Sequence, residues 1–349
     1  MVSPVRVNGR ELRPHKAAVS PLLDARNVLT KSPWEFVSLW LTRNKKSDAL
    51  FYWNQAREFA RAAVGMPVES APLLHYYSFM NASKALLAAK GVSFAERHGV
   101  RSANLRAGST RIELANEGVQ IEASGILPSL ATYLGDTEPA ATHTLKELLF
   151  NLPFVHRTYC LTYQNQSDLF FSLTECRYVF DSATSQSYLS AQLSKEFTER
   201  THLSRLPPAF IPDPPGQGPG AVRSAASVTI SSGRATLTAD DLGRLATLNQ
   251  QLRPDLQHIS GTQTLWYVKA MVRGPRRLQR SPLTLTLAAM HRLSEICRYR
   301  PSQLASFLGG QRNWLINEFV LMSPEQFLDG IASELTGHQF MIPNVRPAT

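Results

Sequence analysis

The chain has 349 residues, 43% of them hydrophobic, with 16 Phe, 5 Trp and a net charge of +10. That is ample apolar material for a core and too much length for a single compact one, so disorder is excluded and two lobes, or one domain with a large insertion, are expected. No apolar run reaches the roughly 18–20 residues of a membrane span, and a basic, arginine-rich balance favours an acidic partner such as RNA, DNA or a nucleotide.

The first residues, MVSPVRVNGRELRPHK, lack the apolar stretch of a secretory signal, so a cytoplasmic protein is expected. Three scattered cysteines (Cys160, Cys176, Cys297) without CxxC spacing argue against a disulfide framework or zinc site, and no metal or other cofactor is expected. The Walker loop, GxGxxG after a strand, HExxH and GxSxG are all missing, which removes the common nucleotide, zinc-protease and serine-hydrolase chemistries.

In chain order, residues 1–33 read as an irregular N-terminal arm containing Pro4 and Pro14. WEFVSLWLTR (34–43) is a short helix, and a second helix starts near Ser47 or Asp48 and runs to Gly65 with Ala49, Tyr52, Ala56, Phe59 and Ala63 on one stripe. The strongest pattern is Pro72–Val100, PLLHYYSFMNASKALLAAKGVSFAERHGV. Pro72 suits a first helical turn, and Gly91 suits a left-handed stop. One row, Tyr76, Met80, Ser83 and Leu87, is apolar; the next, Tyr77, Asn81, Lys84 and Ala88, is partly polar. A polar row followed by Arg97-His98-Gly99 reads in two ways: a phosphate-binding arginine beside an imidazole that works near neutral pH, or a turn in which His98 bonds backbone and Gly99 supplies the conformation, with Asn81 a buried amide and Lys84 a snorkelling lysine.

RIELANEGVQIEA (111–123) reads as a hairpin turning at Asn116-Glu117-Gly118. TLKELLFNL (144–152) is a short helix, and DLFFSLTECRYVFD (168–181) is a strand pair or one long strand. Residues 182–225, with PPAFIPDPPGQGPG, read as an exposed loop or crossover. SVTISSGRATLT suggests a second hairpin around Ser232-Gly233, TADDLGRLATLNQQL a capped helix, and TLWYVKAMV a strand. Lys269, Arg273, Arg276, Arg277 and Arg280 surround a Gly-Pro break and read as a phosphate-contacting, nucleic-acid-binding loop. Pro282 opens a helix to Tyr299 in which His291, Glu295 and Arg298 share one face: a base, an acid and a cation, or equally a packing salt-bridge network.

PLLHYYSFMNASKALL, the HGV corner at 98–100 and the Leu293-Ser294…Arg298-Tyr299-Arg300-Pro301 segment together resemble the YaaC-like family of bacterial proteins. The central helix with its glycine stop and His-Gly corner is also similar to HEPN domains, helical bundles that dimerise and often bind or cut RNA in toxin and antiphage systems. In such domains an Arg and a His stand several residues apart; here Arg97 and His98 are adjacent, which makes any cutting site a non-standard one.

The expected fold is α+β and mainly helical: a HEPN-like core from residues 34–104 and 266–349, with a β-containing middle segment at 105–265. The expected function is nucleic-acid-directed, RNA or DNA binding with possible nuclease activity, in a bacterial defence or stress system. The candidate catalytic residues are Asn81, Lys84, Arg97, His98, His291, Glu295 and Arg298. The alternative is a non-catalytic oligomeric scaffold or sensor that recruits a protein partner or nucleotide signal. A homo-oligomer and an operon-encoded partner protein are expected, and no membrane partner.

Overall fold

A computed structural model describes residues 1–107, 113–213, 218–231, 237–272, 277–310 and 312–341. The fold is α+β and mainly helical, and the chain divides into two compact units. One comprises Met1–Leu29, Asp168–Val272 and Gly337–Thr349; the other comprises Thr30–Ser167 and Arg273–Thr336. This division differs from the expected one. The N-terminal arm is not separate, because Val2–Pro4 pairs antiparallel with the far end of the Phe170–Asp181 strand.

Among the described residues, the first unit is built on an eight-stranded antiparallel sheet. Its main path runs Phe210–Pro212, Ala221–Ser224, Gln186–Leu193, Phe170–Asp181, Leu265–Lys269 and Leu256–Ile259. The 168–181 segment is thus one long strand, irregular between Thr174 and Arg177, where Glu175 takes φ +51°. Such bulges bend a strand and deepen its twist. The 182–225 stretch, expected as loop, supplies three strands instead. The turn of the second expected hairpin, Ser232-Gly233, lies outside the described residues; before it, Val228–Thr229 pairs with Ser187 and Gln186.

The sheet's core joins Phe171, Tyr178, Leu189 and Val268 to Leu245, Leu248 and Leu252 of the Ala239–Leu252 helix. Thr238 and Asp241 form a capping box at that helix's start. Buried Asn249 ties the N-terminal segment down: its Oδ1 accepts from the His15 backbone N–H (2.9 Å) and the Tyr178 hydroxyl (3.3 Å), and its Nδ2 donates to the Ala17 carbonyl (3.1 Å). Replacing Asn249 with Ala strands a buried N–H and a buried carbonyl, so a loss of about 2–3 kcal/mol is expected in urea unfolding, with the slope unchanged.

The second unit is a helical assembly around the central helix Ala71–Ala89. Expected to show one polar row, this helix is buried almost all round; Asn81 (3% exposed) and Ser83 (0%) lie inside. Its alanines and serines let neighbours approach closely: Ser47–Ala63 packs along one side, and Pro282–Tyr299 (the partner helix) and Asn313–Thr336 along others. Phe79 stacks on Phe327 at 4.3 Å between ring centroids. Starts are set by local chemistry. Ser32 and Ser281 accept from backbone N–H groups three residues on, each just before a proline in the first turn.

The expected 111–123 hairpin does not form as read. Residues 108–112 lie outside the described ones, and Glu117–Ile121 pairs with Val100–Asn104 on one side and Thr142–Thr144 on the other. His98 therefore stands immediately before a sheet strand, beside the central helix.

Candidate functional site

Backbone geometry fixes the His98 corner before any side chain does. The N–H groups of Ile126 and Leu127, which open the Ile126–Tyr133 helix, donate to the carbonyls of Arg97 (2.9 Å) and His98 (3.2 Å). Helix starts leave such donors without partners inside the helix, so this loop completes the helix as much as the helix holds the loop. Gly99 takes φ +71°, and a Cβ there would stand 2.9 Å from the Gly125 Cα and 3.0 Å from the Pro128 Cγ. Only glycine satisfies both the turn and the approach.

The imidazole of His98 is bonded through Nδ1 to the hydroxyl of Tyr76, a 3% exposed residue of the central helix. His291 of the partner helix completes an aromatic cluster, its ring 5.0 Å from Tyr76 and 5.9 Å from His98. Glu295, one turn on, places a carboxylate oxygen 3.6 Å from His291 Nδ1, and exposed Arg298 follows. Burial, then the positive charges of Arg298 and Lys84, lower the pKa of His98, with Glu295 opposing them. Burial and the neighbouring His98, Arg292 and Arg298 push His291 down to about 3. Burial, with Tyr77 and Glu295, raises Tyr76. At neutral pH the cluster therefore holds two uncharged imidazoles and a protonated phenol beside two cations.

The partner helix is positioned by a buried ion network. Glu117, fully buried, accepts from Arg106 (Nε, 3.0 Å) and from Arg292, and Arg292 also reaches Glu295 at 3.2 Å. Burial alone would raise the Glu117 pKa, but hydrogen bonds from Arg106, Arg292 and Gln303 outweigh it and hold the carboxyl below its ordinary value.

The structure thus brings His98, Lys84, His291, Glu295 and Arg298 into one neighbourhood. Two of the candidates are engaged elsewhere. Asn81 Nδ2 donates to the Tyr77 carbonyl of its own helix at 2.9 Å. Arg97 donates to the Ser124 carbonyl (3.2 Å) and bonds the Ser124 hydroxyl, so it braces the loop. Tyr76, Glu117 and Arg292 belong to the arrangement and escaped sequence reasoning. Tyr76 read as one member of an apolar row, and Glu117 as a turn residue, because the partners that give them meaning are distant in the chain.

The basic loop fares differently. Lys269 is 1% exposed within the Leu265–Lys269 strand, its backbone N–H donating to the Asp255 carbonyl at 2.7 Å. Arg280 is turned inward, donating to His143 Nε2 (3.1 Å) and the Ala140 carbonyl (2.8 Å), with Asp136 3.8 Å away. Lys269 by its burial and Arg280 by its internal contacts are withdrawn from the surface that would meet a nucleic-acid backbone, which corrects the phosphate-contacting reading for both. Arg277 is half-buried, and Arg273 and Arg276 lie outside the described residues.

In the sheet unit, a cleft of about 1060 Å³ is lined by residues that include Arg10, Arg13, Glu175, Arg177 and Trp266. Its imidazole, His15, is buried and pushed down to about 3 by that burial and by Arg253, and its thiol, Cys176, is raised by burial. No reactive group there matches the His98 cluster.

A model of the family described as YaaC-like Protein matches residues 24–335. The chain belongs to the YaaC-like family. The match spans every element that builds the His98 cluster in this YaaC-like chain. No curated protein and no solved structure matches the chain. No helix among the described residues is long and apolar enough to cross a membrane.

Two measurements probe this arrangement. Glu117→Gln removes the charge that compensates Arg292, only 5% exposed, so a loss of about 3–5 kcal/mol is expected in urea unfolding. The second is pH dependence. His15 and His291 have native pKa values of about 3 and His75 about 4, against 6.5 when unfolded. The unfolded chain then binds more protons than the native one below pH 6.5, so stability is full above that value. It falls as pH drops toward 4, by up to about 1.4 kcal/mol per pH unit per histidine. His291→Gln should remove one such contribution and flatten the profile of the melting midpoint between pH 6.5 and 4.

Proposed function

We propose that this protein binds RNA and cleaves its phosphodiester bonds, with His98 as the general base. One observation carries the reading: His98 is exposed, uncharged at neutral pH, anchored at Nδ1 by Tyr76, and accompanied by the cations Arg298 and Lys84. Anchoring one ring nitrogen leaves Nε2 as the working atom. With the proton on Nδ1 donated to the Tyr76 oxygen, Nε2 carries the lone pair of a base.

RNA suits such a site better than DNA, since its ribose 2′-OH is an internal nucleophile that a single base can activate. His98 Nε2 takes the 2′-OH proton as the 2′-oxygen attacks phosphorus. The bond from phosphorus to the 5′-oxygen breaks, leaving a 2′,3′-cyclic phosphate. The departing 5′-oxygen takes a proton from water, and the imidazolium returns its proton to the hydroxide so formed. Arg298 and Lys84 offset the charge that builds on the phosphoryl oxygens. His291, held uncharged, adds no competing positive charge at the base, and Glu295 orients it.

This reading keeps three wider elements of the same proposal: a HEPN-like helical core, a homo-oligomeric assembly, and a role in bacterial defence or stress. The convergence of His98 and Arg298 near solvent favours it over a scaffold, in which the two would sit in separate buried networks.

The test incubates wild type and His98→Ala with labelled total RNA and with single- and double-stranded DNA. Expected are RNA products ending in cyclic phosphate, a rate reduced at least about 100-fold in His98→Ala, and DNA left intact. The rate should rise with pH through a value below 6.5 and level off above 7, because a base with a lowered pKa is already deprotonated there. Undiminished cleavage by His98→Ala would refute the assignment of the base.

A further inference from the structure

With Lys269 and Arg280 engaged internally, the surface that would hold a substrate has to be sought around His98 itself. Both cations of the cluster rest on aromatic rings. Lys84 Nζ lies 5.1 Å from the centroid of the Tyr52 ring, and the Arg298 guanidinium lies 4.7 Å from that of Tyr299. Tyr299 is 69% exposed and Phe51, whose ring stands 5.6 Å from Tyr52, is 65% exposed. Phe94 extends the Tyr52 side, 6.3 Å away in an edge contact. The Tyr52 hydroxyl donates to Glu96 at 3.0 Å, which fastens this ring to the loop that carries His98 two residues later.

Exposed rings thus recur beside both cations that flank the imidazole: Phe51 next to Tyr52 of the Ser47–Ala63 helix, whose ring carries Lys84 of the central helix, and Tyr299 next to Arg298 on the partner helix. A cation fixed on a ring and a ring left open to solvent is the arrangement that a phosphate with its attached base would fill. The phosphate meets the charge, and the base lies on the aromatic surface. Duplex bases are stacked on one another and cannot use such rings; unpaired bases can.

We infer that Phe51 with Tyr52, and Tyr299, are stacking platforms for unpaired nucleobases, so that the substrate is single-stranded RNA whose bases near the scissile phosphate lie on these rings. The inference rests on the reading of His98 as the base, and it assigns the substrate class and its specificity-determining residues.

The experiment measures binding of a fluorescent single-stranded RNA oligonucleotide carrying 2-aminopurine, and of its duplex, to protein bearing His98→Ala so that the RNA survives. Binding of the single strand should quench 2-aminopurine. Phe51→Ala and Tyr299→Ala should each weaken single-strand binding about tenfold and diminish the quench. Duplex binding should stay unchanged, and Phe51→Trp should restore what Phe51→Leu does not. Both positions are exposed, and unchanged melting midpoints confirm that the variants fold. Equal affinity for single strand and duplex, or no effect of either alanine, would overturn the platforms while leaving His98-dependent cleavage standing. Stacking-dependent binding without cleavage by wild type would instead sink the catalytic reading and leave the platforms.

Discussion

A carboxylate with no contact to water sets the geometry of the helical unit. Glu117 sits on a strand, and its charge is tolerable only because Arg106 and Arg292 meet it from different elements. Desolvation pushes its pKa up and three hydrogen-bond partners bring it down, so the charged form survives burial. The consequence is positional. Arg292 cannot leave Glu117 without exposing two charges to an apolar interior, so the partner helix is locked in rotation. Arg292 also holds Glu295, and Glu295 faces His291. The face that meets His98 is therefore fixed from behind by electrostatics and not by shape alone.

The two histidines are held uncharged by the same causes at different depths. His291 is 6% exposed and loses its charge chiefly to burial. His98 stands at the surface, yet burial of part of its ring and two flanking cations also keep it neutral. Nearby positive charge makes an imidazole a weaker base, but it leaves a larger fraction available at neutral pH and, on the proposed function, supplies the charge that a phosphate requires. Tyr76 reconciles these demands. Burial raises the pKa of its phenol, which stays protonated and adds no negative charge, while its oxygen can bond Nδ1 as acceptor or donor.

Elements with a local cause were legible in the sequence. Proline in the first turn, with serine before it, marks the helices at Pro33 and Pro282, and TLKELL carries its capping box openly. The shared face of His291, Glu295 and Arg298 was equally plain, because helical spacing is local. What failed was decided at long range. The 182–225 stretch has the composition of a loop, yet Gln186–Leu193 pairs along nearly all of Phe170–Asp181, and that pairing overrides composition. Glu117 looked like a turn residue between two alternating runs; its partner Arg292 lies 175 positions away. The Gly-Pro break among the arginines suggested a mobile basic loop, and nothing in the spacing reveals that Arg280 turns toward His143 and Asp136.

The arginine-rich composition misleads in an instructive way. Guanidinium groups are the usual means of burying positive charge, because a planar fork can satisfy several acceptors at once. Here Arg106, Arg292 and Arg280 spend their forks on carboxylates, carbonyls and an imidazole inside the fold, and Arg97 braces a loop. A net charge counted from the sequence therefore overstates the positive surface offered to a partner. The charges that matter for recognition are those that keep contact with solvent, and Arg298 is exposed while Lys84 is half-buried. Each rests on an aromatic ring instead of a carboxylate, and a ring draws the cation without neutralising it. The field at His98 is thus positive because its cations were given partners that leave their charge intact.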